Sequence, residues 1–163
     1  MGRNLLYLLI FTALSGCGSL PAPVQAPEPV AAPRPSAERA EALLQVLLAL
    51  GVDYRPGGSS PATGFDCSGL VAHVFREAYG IRLPHNARAQ SEAGAPVAQE
   101  NLQAGDLVFY DTLKRPFSHV GIYIGEGKFV HAPKAGAQVR VESIRGAYWR
   151  QRFNGARRID PGI

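Results

Sequence analysis

The hydrophobic period of this chain changes once, near Gly105, and that change limits the folds open to it more than any other feature. Before Gly105 the apolar residues recur at helical spacing; after it they alternate. Leu43, Val46, Leu47 and Leu50 form one stripe, on a helix that Ser36 can cap and Gly51 ends. Leu70, Val71, Val74, Phe75 and Ala78 form a second, from Cys67 to Gly80, and a short helix is expected over Ala87 to Glu92. Beyond Gly105, residues 106–110, 120–124, 128–132, 139–142 and a stretch around 157–159 read as strands joined by short turns. Helices first and strands second imply an α+β fold, with N-terminal helices packed on an antiparallel sheet of five to six strands.

The front of the chain cannot join that core. Arg3 precedes the apolar run Leu5 to Ala13, the build of an export signal and too short for a membrane span. It closes on Leu14-Ser15-Gly16-Cys17, which resembles the lipobox of bacterial lipoproteins, where the cysteine is acylated and becomes the mature N-terminus. Residues 17–35 are rich in Pro and Ala and read as a tether, which in polyproline II form reaches about 50 to 60 Å. The expected organisation is a signal peptide over 1–16, a lipidated tether over 17–35 and one domain over 36–163. Gly18, where an inner-membrane retention signal would place Asp, points by analogy to the outer membrane, facing the periplasm. The formal charge of +4 suits an anionic surface or polymer. Neither basic runs nor interleaved aromatics appear, so nucleic acid is not an expected partner.

There are two cysteines, and in an oxidising envelope they would be expected to pair. Acylation of Cys17 leaves Cys67 single, either as a small buried residue or as a reactive one. Its setting favours the second. Tyr54 to Pro61 holds turn formers without helical period, Asp66 is the expected N-cap, and Cys67 falls in the first turn. Free backbone N–H groups and the helix dipole there favour a thiolate, which leads to an expected thiol pKa below the ordinary value of about 8.5. The N–H groups near residues 67 and 68 can also hold an oxyanion.

His119 and His131 flank the turn Gly125-Glu126-Gly127. With a three-residue loop Ile122 opposes Val130, and Val120, Ile122 and Val130 share the core face. His119 and His131 then lie on the other face as diagonal neighbours. A two-residue loop would shift the register by one and separate them. A thiol and two histidines are the parts of a nucleophile, a base and an orienting group. A Cys/His/His metal site is the rival use, but the short-spaced ligand pairs that usually mark zinc are missing, so no metal is expected.

Tyr54 with Gly57-Gly58, Gly64-Phe65-Asp66-Cys67-Ser68-Gly69-Leu70-Val71, Leu83-Pro84, Gln90, Gly105-Asp106-Leu107-Val108-Phe109, Ser118-His119-Val120-Gly121-Ile122-Tyr123-Ile124-Gly125 and Phe129-Val130-His131-Ala132 occur in this order. Together they resemble the NlpC/P60 cysteine peptidases of bacterial cell walls. The resemblance implies a papain-like fold and a Cys-His-His triad, with Cys67 as nucleophile, His119 as general base and acid, and His131 orienting His119. Tyr54 matches the tyrosine beside the family's nucleophile and, with Ser68, would support the oxyanion site. The implied activity is hydrolysis of amide bonds in peptidoglycan stem or cross-link peptides, without a cofactor. The implied partners are peptidoglycan and, through Cys17, a membrane, with the chain a monomer and any regulatory adaptor unknown. Arg55-Pro56 departs from the family pattern, as does His85, which stands where Arg commonly follows Leu-Pro. Two rivals are a silent peptidoglycan-binding scaffold and an amidase or acyltransferase of this fold on a non-wall substrate.

Overall fold

A computed structural model describes residues 37–160; the expected signal segment, Cys17, the tether and the Ser36 cap lie outside the described residues. Asp66 ends an extended segment and caps helix α2 (Cys67–Tyr79), its carboxylate accepting from the Gly69 N–H. Gly80 closes the helix at φ 67°, a left-handed conformation that glycine adopts at no steric cost. Helix α1 (Ala37–Ala49) packs along α2. Its buried stripe is Ala42, Val46 and Ala49, not the leucine stripe expected: Leu47 is 59% exposed. The two alanines let the helix backbones approach, which leucines there would prevent.

Strands β1 (Ser59–Ser60) and β2 (Gly64–Phe65) pair within the loop ahead of α2. Helix α3 (Ala87–Gln90) is shorter than expected and is capped by Asn86. Strands β3 (Ala95–Val97), β4 (Leu107–Tyr110), β5 (His119–Gly125), β6 (Lys128–His131), β7 (Arg140–Ser143) and β8 (Phe153–Arg158) form one antiparallel sheet, in the order β3-β8-β4-β5-β6-β7. Helix α4 (Ala147–Arg152) lies between β7 and β8 in the chain. Buried Asp106 fastens β4 to β8, accepting from Arg158 Nε at 2.8 Å and Nη2 at 2.7 Å. Among the described residues no helix is long and apolar enough to cross a membrane.

Both faces of the sheet are covered. Leu107, Phe109, Val120, Ile122 and Val130 pack with Leu70, Val71 and Val74 of α2. Val108, Tyr110, Tyr123, Phe129 and Ala156 pack with Trp149 of α4. Residues 107–110 are therefore all buried, as an apolar run that does not alternate requires.

The β5–β6 hairpin keeps the expected Ile122–Val130 pairing but reaches it differently. Gly125 pairs with Lys128, so the turn has two central residues, Glu126 at φ 53° and Gly127 at φ 73°. Both are left-handed, the geometry of a type I′ turn. A bulge between Tyr123 and Gly125 absorbs the extra residue and restores the register that a two-residue turn alone would have shifted.

Candidate active site

The N-terminus of α2 and the start of β5 bring Cys67 and the His119 segment together. Backbone N–H groups of Val120, Ser68 and Cys67 itself favour a negative sulfur. Cys67 is a free thiol that keeps part of its surface accessible. Even so, burial, reinforced by the Asp66 carboxylate, pushes the thiol up to about 11. This reverses the acidic thiol expected from the helix N-terminus: the N–H groups act in the expected direction, but loss of hydration outweighs them.

His119 Nε2 and His131 Nδ1 are 2.7 Å apart and the two rings are perpendicular. The diagonal arrangement read from the hairpin is thus present. Both imidazoles are buried, and burial holds both neutral, His119 down to about 4 and His131 down to about 2. For His131 the proximity of His119 and Arg140 adds to the effect. Contact with His131 occupies Nε2 of His119 and leaves Nδ1 as the ring nitrogen available to a thiol. His131 Nε2 is buried without a hydrogen-bond partner among the described residues.

Asp66 gathers the rest of the site. Burial is the larger influence at Tyr54, Cys67 and His119; the Asp66 charge adds to the rise at Tyr54 and Cys67 and opposes the fall at His119. Asp66 Oδ1 accepts from Gly69 N at 2.7 Å and from Ser68 Oγ at 3.0 Å. The Ser68 hydroxyl is therefore turned to the cap, and its N–H is the part directed at Cys67. His85 Nε2 lies 2.9 Å from both Asp66 oxygens, so the residue that departs from the family pattern completes the cap. A side chain at Gly69 would strike the Gly58 carbonyl and His85 Nε2, so close packing requires glycine there.

Two residues given no task by sequence reasoning hold this arrangement. Buried Gln90 donates from Nε2 to the carbonyls of Ser68, at 3.0 Å, and Pro84, at 2.7 Å. Trp149 stacks on His119 with centroids 5.6 Å apart and meets His131 edge-on at 4.8 Å, covering the histidine pair. The sequence signal available for it was slight: it is the chain's one tryptophan, in a six-residue helix. Among the described residues no three His, Cys, Asp or Glu side chains group as a metal ion would need.

Comparison with known proteins gives the same region a family context. Residues 51–158 match the model of the NlpC/P60 family. The chain is 40% identical over 121 residues to murein DD-endopeptidase MepH of Escherichia coli K12, covering 72% of this chain and 45% of that protein. It is 44% identical over 112 residues to the gamma-DL-glutamyl hydrolase of Bacillus subtilis, covering 68% and 27%. It is 44% identical over 109 residues to murein DD-endopeptidase MepS/murein LD-carboxypeptidase of E. coli K12, covering 67% and 56%. The chain thus spans about half or less of the length of these relatives. Among solved structures, an NlpC/P60 protein of Bacillus cereus superposes with TM-score 0.69 at 33% identity, over 74% of this chain and 39% of that one. The NlpC/p60 domain of the peptidoglycan hydrolase SagA superposes with TM-score 0.65 at 29% identity, over 74% and 98%.

Proposed function

The chain belongs to the NlpC/P60 family, and from that membership and the surroundings of Cys67 we propose that it is a cysteine endopeptidase cutting amide bonds in peptidoglycan stem or cross-link peptides. The observation that carries the mechanism is the 2.7 Å contact of His119 Nε2 with His131 Nδ1, which leaves His119 Nδ1 for the thiol. The relatives named murein DD-endopeptidases support the substrate class.

The resting site holds a neutral thiol beside a neutral imidazole, so Cys67 is activated by general base catalysis as it attacks. Its proton passes to His119 Nδ1 while sulfur bonds to the carbonyl carbon. The N–H groups of Cys67 and Ser68 stabilise the oxyanion. His119 then gives that proton to the leaving nitrogen, the C–N bond breaks, and a thioester remains. Water, losing a proton to His119, attacks the thioester, and the proton returns to sulfur as the carboxylic acid departs. For Nδ1 to accept, Nε2–H of His119 must donate to His131 Nδ1, and His131 must carry its own hydrogen on Nε2.

Steady-state kinetics on a cross-linked muropeptide test these roles. His119→Ala is expected to fall to the level of Cys67→Ala. His131→Ala is expected to lose on the order of 10 to 1000-fold, mainly in kcat, and His131→Asn to retain part of the difference, because one hydrogen bond to His119 is what it supplies. Wild-type turnover by His131→Ala would contradict the assignment.

The same reading places the domain beside its substrate through a lipid on Cys17, at the outer membrane facing the periplasm, on the strength of Leu14 to Cys17. Fractionation of cells expressing Cys17→Ala should find the protein uncleaved or lost from its membrane fraction. Processing and extraction identical to wild type would refute the anchor.

A further inference from the structure

The first residues of β5 carry His119 and the Val120 N–H that favours a negative sulfur at Cys67. They are also the least supported part of that strand. Ile122 pairs with both β4 and β6, whereas among the described residues His119 and Val120 pair with β4 alone, at Tyr110 and Phe109. On its other side β4 meets an irregularity at those same two residues: Phe109 faces Gly155 and Tyr110 faces Phe153, so Asn154 is the extra residue of a bulge in β8. The chain entering β5 takes an unfavourable course. Phe117, just ahead of His119, has φ 58°, a left-handed conformation that a bulky aromatic residue rarely adopts. Its N–H donates to Asn154 Oδ1 at 2.8 Å. Its ring lies edge-on to Phe109 with centroids 5.9 Å apart, and the Arg88 guanidinium sits over it at 5.2 Å. Ser118 Oγ accepts from the N–H groups of Thr112 and Leu113, at 3.0 and 3.2 Å, and ties the loop back on itself.

We propose that Asn154 is a positioning residue for the hydrolysis: its carboxamide oxygen holds Phe117 in the left-handed conformation that sets where β5 begins, and so where His119 and the Val120 N–H meet Cys67. The proposal rests on the peptidase reading above and adds to it a residue that touches neither the thiol nor the histidines. A bulge turns the side chain of its extra residue out of the ladder, which is how Asn154 on β8 reaches a loop residue 37 positions earlier in the chain. The contacts of the Phe117 ring fix where that side chain lies, but not the orientation of its peptide; the hydrogen bond supplies that. Without the acceptor the Phe117 N–H loses its partner, and relaxation to negative φ, no longer opposed, swings the peptide units that lead into His119. The chemistry tolerates little of that movement, because His119 has to come within hydrogen-bond distance of the sulfur and then of the leaving nitrogen.

Steady-state kinetics of the full chain on a cross-linked muropeptide test the assignment. Asn154→Ala and Asn154→Leu, the second keeping side-chain volume without an acceptor, should each lose about tenfold in kcat with KM within about twofold of wild type. Asn154→Asp keeps an accepting oxygen and should stay within about threefold of wild type in kcat. Cys67 alkylation at pH 8 reads the same geometry without substrate. Loss of the Val120 N–H contact disfavours the thiolate, so the rate should fall about threefold in Asn154→Leu and match wild type in Asn154→Asp. Wild-type kcat in Asn154→Leu, a loss confined to KM, or an equal loss in Asn154→Asp overturns the proposal and leaves the peptidase reading standing. A lowered melting temperature with unchanged kcat would mean a merely structural bond and overturns it too. Absence of cleavage by wild type is failure of the peptidase reading, and the alkylation rates then decide by themselves whether Asn154 holds the start of β5.

Discussion

At Cys67 two fields oppose each other: backbone N–H groups at the start of α2 favour the thiolate, and burial beside the Asp66 carboxylate disfavours it. Burial is the larger, so at pH 8 a thiol pushed up to about 11 is almost wholly protonated. His119, held down to about 4, supplies no compensating cation. The rate of iodoacetamide alkylation should therefore rise about tenfold per pH unit through pH 9, with no plateau below neutrality. Asp66→Asn removes the charge and keeps a good cap, and should raise the rate at pH 8 by about threefold or more. A plateau near pH 6 would instead mean a thiolate–imidazolium pair at rest. Because burial holds His119 down to about 4, its imidazole stays neutral above that pH, so kcat/KM should hold from about pH 5 upward rather than fall below pH 6.5.

Among the elements, α2 and the β5–β6 hairpin were the most legible in the sequence, because Asp66, Gly80, Ile122 and Val130 each carry a local signal. The hairpin also marks where such reading stops. Apolar pairing fixed which residues face each other, but a bulge and a two-residue turn give the same pairing as a three-residue loop, and no residue type distinguishes them. Glu126 occupies a left-handed position that Asn fills better. Glu126→Asn should raise stability by roughly 0.5 to 1 kcal/mol in urea unfolding, less any contribution lost from the exposed Lys128 pair. A destabilised variant would argue against the type I′ turn. Strand β3 went unread because Pro96 speaks against a strand until the strand is known to be an edge. Helix α4 went unread because residues 147–152 hold too few apolar positions to show a period. On α1 the leucines drew the reading, whereas the alanines make the contact.

Over the whole domain, the sheet separates two tasks. One face joins the helices and positions the α2 N-terminus; the other holds His119 and His131 beneath Trp149. The α+β order and the face shared by the histidines were legible because they depend on period alone. The cover over the histidines and the desolvation of the thiol were not, since both arise from residues distant in sequence. Family membership and fold are consistent with a hydrolase of wall peptides, with Cys67 the residue proposed to perform that hydrolysis. Mass analysis of muropeptides released from purified peptidoglycan by the full chain and by Cys67→Ala tests that role. Wild type is expected to release new fragments, each cut adding one water across an amide bond, and Cys67→Ala none. Equal release by the two proteins, or no release by wild type, would contradict it.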